Sequence, residues 1–250
     1  MKLKLVVALL GLTSCVPAFA DPFVQNTTTQ SIVGPPHTGE QSLQTIVDNL
    51  FVGAGIDVDT DQTSAAFFSS ATPSATSTIP TLVAEFTANA ASQSFGIWFG
   101  TSTTNLVTYN LLLGGASAND AVGMTIVGNT LEVFGPAGGC GSKFTCNSFT
   151  NSLINPTSFG FYFQPSPTSD IYYSLDQLNP GARKDRFIGF QSGASTNWAF
   201  AYEDGTDFDY NDMAVKVESI TAAIPEPETY ALMLAGLGVV GFMSRRRKKA

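Results

Sequence analysis

Histidine is nearly absent from this chain, which has His37 alone, and only 13% of its residues are charged. With its one histidine beside the N-terminal arm, a Ser-His-Asp triad is poorly supported, and a His-based catalytic zinc lacks its ligands. Cysteine occurs three times, at Cys15, Cys140 and Cys146. That is too few for a thiolate metal site, which would also need histidine nearby. Long apolar runs are missing as well. The N-terminal one, Leu5 to Leu12, would cover only about 12 Å as a helix, well short of a roughly 30 Å hydrocarbon core. Basic residues are scarce between the ends. Lys2, Lys4 and the last five leave five basic residues against 18 acidic ones between residues 21 and 224, a net charge of −13. Phosphate backbones would repel such a body, which excludes nucleic acid as a partner and favours cations.

What is present at the N-terminus is a basic start, the short apolar run and Val16-Pro-Ala18-Phe-Ala20. These are the parts of a signal peptide over 1–20, with cleavage between Ala20 and Asp21. Leu12-Thr13-Ser14-Cys15 offers a rival cut, a lipobox that would place a lipid on Cys15. Residues 21–36, rich in Thr and Gln, read as a flexible arm.

At the other end Ile224-Pro225-Glu226-Pro227-Glu228-Thr229 is stiffened by its prolines. An uncharged apolar run of 14 residues, Tyr230 to Met243, follows, and then Arg245-Arg-Arg-Lys-Lys249. As a helix the run covers about 21 Å, so it would span a bilayer only with local thinning or snorkelling. The terminal charges should stay cytoplasmic, leaving the body on the far side. Residues 223–250 resemble the PEP-CTERM sorting signal of Gram-negative bacteria. The match lies in Pro225-Glu226-Pro227, the apolar helix and the basic end. The resemblance implies transient anchoring in the inner membrane, recognition by an exosortase, cleavage near the Pro-Glu-Pro, and delivery to the cell surface or extracellular matrix.

Between the signals, residues 37–222 have the length of one β-rich domain. Thr38-Gly-Glu-Gln41 reads as a capping box. Leu43, Ile46, Val47, Leu50 and Phe51 then predict an amphipathic helix over about 40–51, ended by Gly53. Asp57 to Pro80 reads as a long loop with one strand near Ala65 to Phe68. Beyond it the period changes to two. Strands are expected at Thr81–Ala88, Ser94–Phe99, Leu106–Leu113, Val122–Val127, Thr130–Phe134, Ser158–Phe163, Ile171–Leu175, Arg186–Gln191, Asn197–Tyr202 and Met213–Ile220. Gly128-Asn129 has the composition of a hairpin turn. The fold class is mainly β: an antiparallel β-sandwich or jelly roll with one packed helix. Cys140 and Cys146 sit in a Gly-rich loop and, in an oxidising compartment, pair as a local disulfide.

The densest chemistry is Glu203-Asp204-Gly-Thr-Asp207-Phe-Asp209-Tyr-Asn211-Asp212, between two strand patterns. Carboxylates crowded this closely repel unless a cation or water screens them, and Ca²⁺ takes oxygen ligands from such loops. The spacing of Asp207, Asp209 and Asn211 copies the start of an EF-hand. Asp212 stands where that loop needs glycine, and a strand follows, so the reading is a strand–loop–strand cation site. The segment resembles an exported bacterial domain of unknown function that carries a Glu-Asp pair and Asp-x-Asp-Tyr-Asn-Asp. The resemblance implies a β-sandwich with Ca²⁺ and no known reaction. Asp57, Asp59 and Asp61 form a second array, read as a solvated turn with a cation as the alternative.

The expected role is structural or adhesive and calcium-stabilised, without catalysis. The alternative is a glycan-binding module for exopolysaccharide, with Trp98, Trp198, Tyr109, Tyr172 and Tyr173 stacking on sugar rings. A polysaccharide hydrolase using Glu203 and Asp207 is the third reading.

Overall fold

The structure is a computed structural model that describes residues 23, 25–26, 30–32, 38–71, 79–85, 91–135, 142–181 and 184–223. Two four-stranded antiparallel sheets face one another. The first has the order β10 (Phe187–Gln191), β11 (Trp198–Tyr202), β12 (Met213–Glu218), β2 (Ile79–Glu85). The second has the order β4 (Asn105–Leu112), β3 (Ser94–Ser102), β8 (Gly160–Gln164), β9 (Tyr172–Tyr173). Alternation along these strands sends one set of side chains into the shared interior. Phe95, Ile97, Phe99, Phe161 and Phe163 meet Trp198, Phe200, Tyr202, Val215 and Val217 there. A two-stranded sheet of β1 (Phe68–Ser70) and β13 (Ile220–Ala222) bridges from Phe68 to Phe159 beside β8. A three-stranded sheet, β5 (Gly123–Val127), β6 (Thr130–Phe134) and β7 (Asn147–Thr150), adds Met124, Ile126, Leu131 and Val133 to the same core.

The opposite faces of the two main sheets are covered as well. Ala199 and Ala201 point outward from β11, and their small side chains let α1 (Leu43–Leu50) approach. The helix lays Leu43 and Val47 on Ile188 and Phe190, each burial contributing about 1.5–3 kcal/mol. On the second sheet Trp98 lies across Gly160 and Tyr162 across Gly96. A Cβ at either glycine would sit 2.3 Å from the ring. Phe23, Phe67 and Tyr173 close over Trp98 at centroid distances of 5.3, 5.6 and 6.1 Å.

Several sequence expectations are corrected. The helix is capped by Ser42, whose Oγ accepts from the Thr45 N–H at 3.3 Å, and not by Thr38. Thr38 and Gly39 form a separate turn, with Gly39 at φ 101°. Of the stretch 21–36 expected as a flexible arm, Phe23, Gln25, Asn26, Gln30 and Ile32 are packed against the body or bonded to it. Pro80, expected to end the long loop from Asp57, lies within β2, which is tolerated because β2 is an edge strand. The strand expected at Ile171–Leu175 shrinks to two residues and runs into a single 3-10 turn, Asp176–Leu178. The hairpin at Gly128-Asn129 forms as expected, with Val127 opposite Thr130 and Gly128 at φ 58°.

Among the described residues no helix is long and apolar enough to cross a membrane. Residues 1–20 with Cys15, His37, Cys140 and Pro225 to Ala250 lie outside the described residues. Cys146 is half-buried just ahead of β7.

Candidate metal centre

The acidic segment is the connection from β11 to β12, at one end of the first sheet. Its alternating composition anchors it. Phe208 and Tyr210 pack into the apolar layer beneath α1, and the Tyr210 hydroxyl donates to the Asp185 carbonyl at 2.9 Å. Both residues hold left-handed backbone, with φ 57° and 55°. Bulky side chains rarely adopt that conformation, and it persists only where surroundings over-determine it. Asn211 fastens the loop to the helix entrance by donating from Nδ2 to the Gln41 carbonyl at 3.1 Å.

Glu203 is the hub. It is fully buried, and its Oε1 accepts from the Gly205 N–H at 2.6 Å. Two sets of carboxylates converge on it, Glu203 with Asp207 and Asp209, and Glu203 with Asp204 and Asp212. Within each set one oxygen per residue lies within 4.8 Å of the others. Burial pushes Glu203 up to about 7, aided by the charges of Asp207 and Asp209. Burial also pushes Asp212 up to about 8, with the charges of Asp204, Glu203 and Asp207 acting in the same direction. Asp204 is raised by burial and by Asp207, against the lowering effect of Arg186. The arrangement therefore stores charge repulsion that a proton or a hard cation relieves.

Arg186 was not legible as part of this site. Its guanidinium lies 5.1 Å from the ring centroids of both Tyr172 and Phe208 and donates to the Gly205 carbonyl. It thereby joins the loop to β9 of the opposite sheet. A lone arginine ahead of a strand carries no signal in sequence that it will do so.

The second array behaves differently. The Asp57 Oδ1 accepts from the Asp59 and Thr60 N–H groups at 2.9 and 3.2 Å, and the Asp61 carboxylate accepts from the Asp57 N–H at 2.9 Å. Asp57 and Asp61 thus tie their own turn, as short acidic side chains do. The Asp59 side of the turn meets the first loop at a pocket of about 200 Å³, lined also by Asp209, Ser42 and Leu43. The aromatics proposed for sugar stacking are largely withdrawn. Trp98 and Trp198 are each 1% exposed, which rules them out as a stacking surface, while Tyr109, Tyr172 and Tyr173 are half-buried.

The chain's remaining identifiable feature is its tail. Residues 223–248 match the PEP-CTERM protein-sorting motif. The match covers Pro225, Glu226, Pro227, the apolar run and most of the basic cluster, as expected from their order. It implies an exported protein that an exosortase processes. No curated protein and no solved structure matches the chain.

Proposed function

We propose that the chain is a structural or adhesive protein of the cell surface or extracellular matrix, with a calcium-stabilised body. The convergence of two carboxylate sets on the buried Glu203 supports this most directly. Ca²⁺ takes six to eight oxygens at about 2.3–2.6 Å, and carboxylate, amide and backbone oxygens of one loop are its usual donors. Asp204, Asp207, Asp209 and Asp212 supply carboxylates around Glu203, and Asn211 supplies an amide. Export places the body where such a cation is available, and the strongly acidic surface favours its capture. Burial of Glu203 argues against a hydrolase, whose acid must touch a sugar oxygen. The decisive measurement is elemental analysis of the body purified from calcium-containing buffer and dialysed without chelator. At least one calcium per chain is expected, lost in Glu203→Gln. Metal-free protein would sink the proposal.

A further inference from the structure

The two ends of the folded body meet. Gln25 and Ala223 are 198 residues apart, yet the Gln25 Nε2 donates to the Ala223 carbonyl at 3.1 Å. The same side chain's Oε1 accepts from the N–H groups of Ala66 and, at 3.1 Å, Phe67. One amide thus joins three backbone groups, two on the approach to β1 and one at the exit from β13. Ala223 is held from its other side too, since its N–H donates to the Phe67 carbonyl at 2.9 Å. Asn26 repeats the device. Its Nδ2 donates to the Ser174 carbonyl at 2.8 Å, and its Oδ1 accepts from the Asp176 N–H at 3.0 Å. Phe23 adds ring contacts to Phe67 and Trp98 at 5.4 and 5.3 Å.

Ala223 is also the first residue of the sorting-motif match. The motif therefore begins inside the folded body, under the grip of the N-terminal segment. Pro225 follows two residues later, and two residues of chain reach at most about 7 Å. Whatever protein takes the Pro-Glu-Pro must therefore approach the body near Ala223, which the Gln25 bond helps to hold.

We propose that Phe23, Gln25 and Asn26 form a clasp that fixes the root of the sorting tail and so positions the Pro-Glu-Pro for processing. Gln25 is its positioning residue and touches no reacting atom. The inference rests on the reading of the tail as an exosortase substrate.

The test follows trimming of the full-length chain, by intact mass, in the bacterium that encodes it. Gln25→Glu keeps a carboxylate to accept from Ala66 and Phe67 and loses the donor to Ala223. Gln25→Ala loses all three bonds. The control is Gln62→Ala, which removes bonds of the same kind to Gln30 and Val58, away from the tail. Trimming is expected to slow about tenfold in both Gln25 variants, since misplacing a reacting segment costs rate steeply, and to stay at the wild-type rate in the control. Wild-type trimming of Gln25→Glu, or equal slowing in all three variants, overturns the clasp and leaves the sorting reading standing. A wild-type chain that keeps its tail overturns the sorting reading itself.

Discussion

The backbone N–H of Asp204 donates to Oδ2 of Asp212 at 2.7 Å, tying the two ends of the acidic loop together across its mouth. The bond is stronger to an ionised Asp212, yet burial and the surrounding carboxylates resist that charge. A cation bound in the loop would settle the conflict in favour of the charged form. Calcium is accordingly expected to raise the melting temperature and a chelator to lower it. The stabilisation should reach about 2.7 kcal/mol when free calcium is a hundred times its dissociation constant. Asp207→Asn and Asp212→Asn should each weaken calcium binding about tenfold or more, read by titration calorimetry. Equal melting curves in calcium and chelator would refute this.

The pH dependence of the calcium-free protein has a definite sign. Glu203 and Asp212 titrate near 4 in an unfolded chain and are pushed up to about 7 and about 8 in the fold. Between those limits the folded state holds more protons than the unfolded one. Stability is then greatest at the acid end and falls as pH rises through 7 and 8. Calcium replaces the protons and should flatten the profile. Chemical denaturation at several pH values, with and without calcium, reads both effects. A calcium-free stability that rises from pH 5 to 8 would contradict the site's electrostatics.

Phe200 occupies the middle of the sandwich. Its ring lies 4.9 to 6.2 Å from those of Phe68, Phe161, Phe187 and Trp198. Phe200→Ala leaves a cavity between the two main sheets and is expected to cost about 3–5 kcal/mol by denaturant titration. A loss below 1 kcal/mol would mean that the sheets do not face each other as described.

Ser219 connects β12 to β13 at φ 63°. A left-handed conformation costs an L-residue about 1–2 kcal/mol, and glycine avoids most of this while losing more entropy on folding. Ser219→Gly should therefore gain about 0.5 kcal/mol, measured by denaturant midpoint. Destabilisation would show that the hydroxyl matters more than the backbone.

Trp98 and Trp198 should be shielded from a collisional quencher, and an added polysaccharide should leave their fluorescence unchanged. Ready quenching of both in the folded protein would reopen them as sugar platforms.

The β-rich architecture and the site of the acidic loop were readable because their signals are local. The alternation of Phe95, Ile97 and Phe99 marks a strand whatever it packs against, and Gly128-Asn129 marks a hairpin from two residues. β7 escaped notice because Asn147-Ser-Phe-Thr150 is polar and mostly exposed, so no apolar alternation announces it. The helix cap was misplaced because Thr38 and Ser42 both precede the apolar face, and only the fold decides which one ends the turn.

The sequence by itself determined that this chain carries a sorting motif and that its loop is rich in carboxyl groups. A sorting motif is a linear pattern, and residue type alone fixes which side chains bear a carboxyl group, whatever the fold. The tertiary structure decided which carboxylates share a centre and which close their own turn. It also buried both tryptophans and brought Gln25 against Ala223. Each of these depends on contacts between segments far apart in the chain, and no local pattern records them.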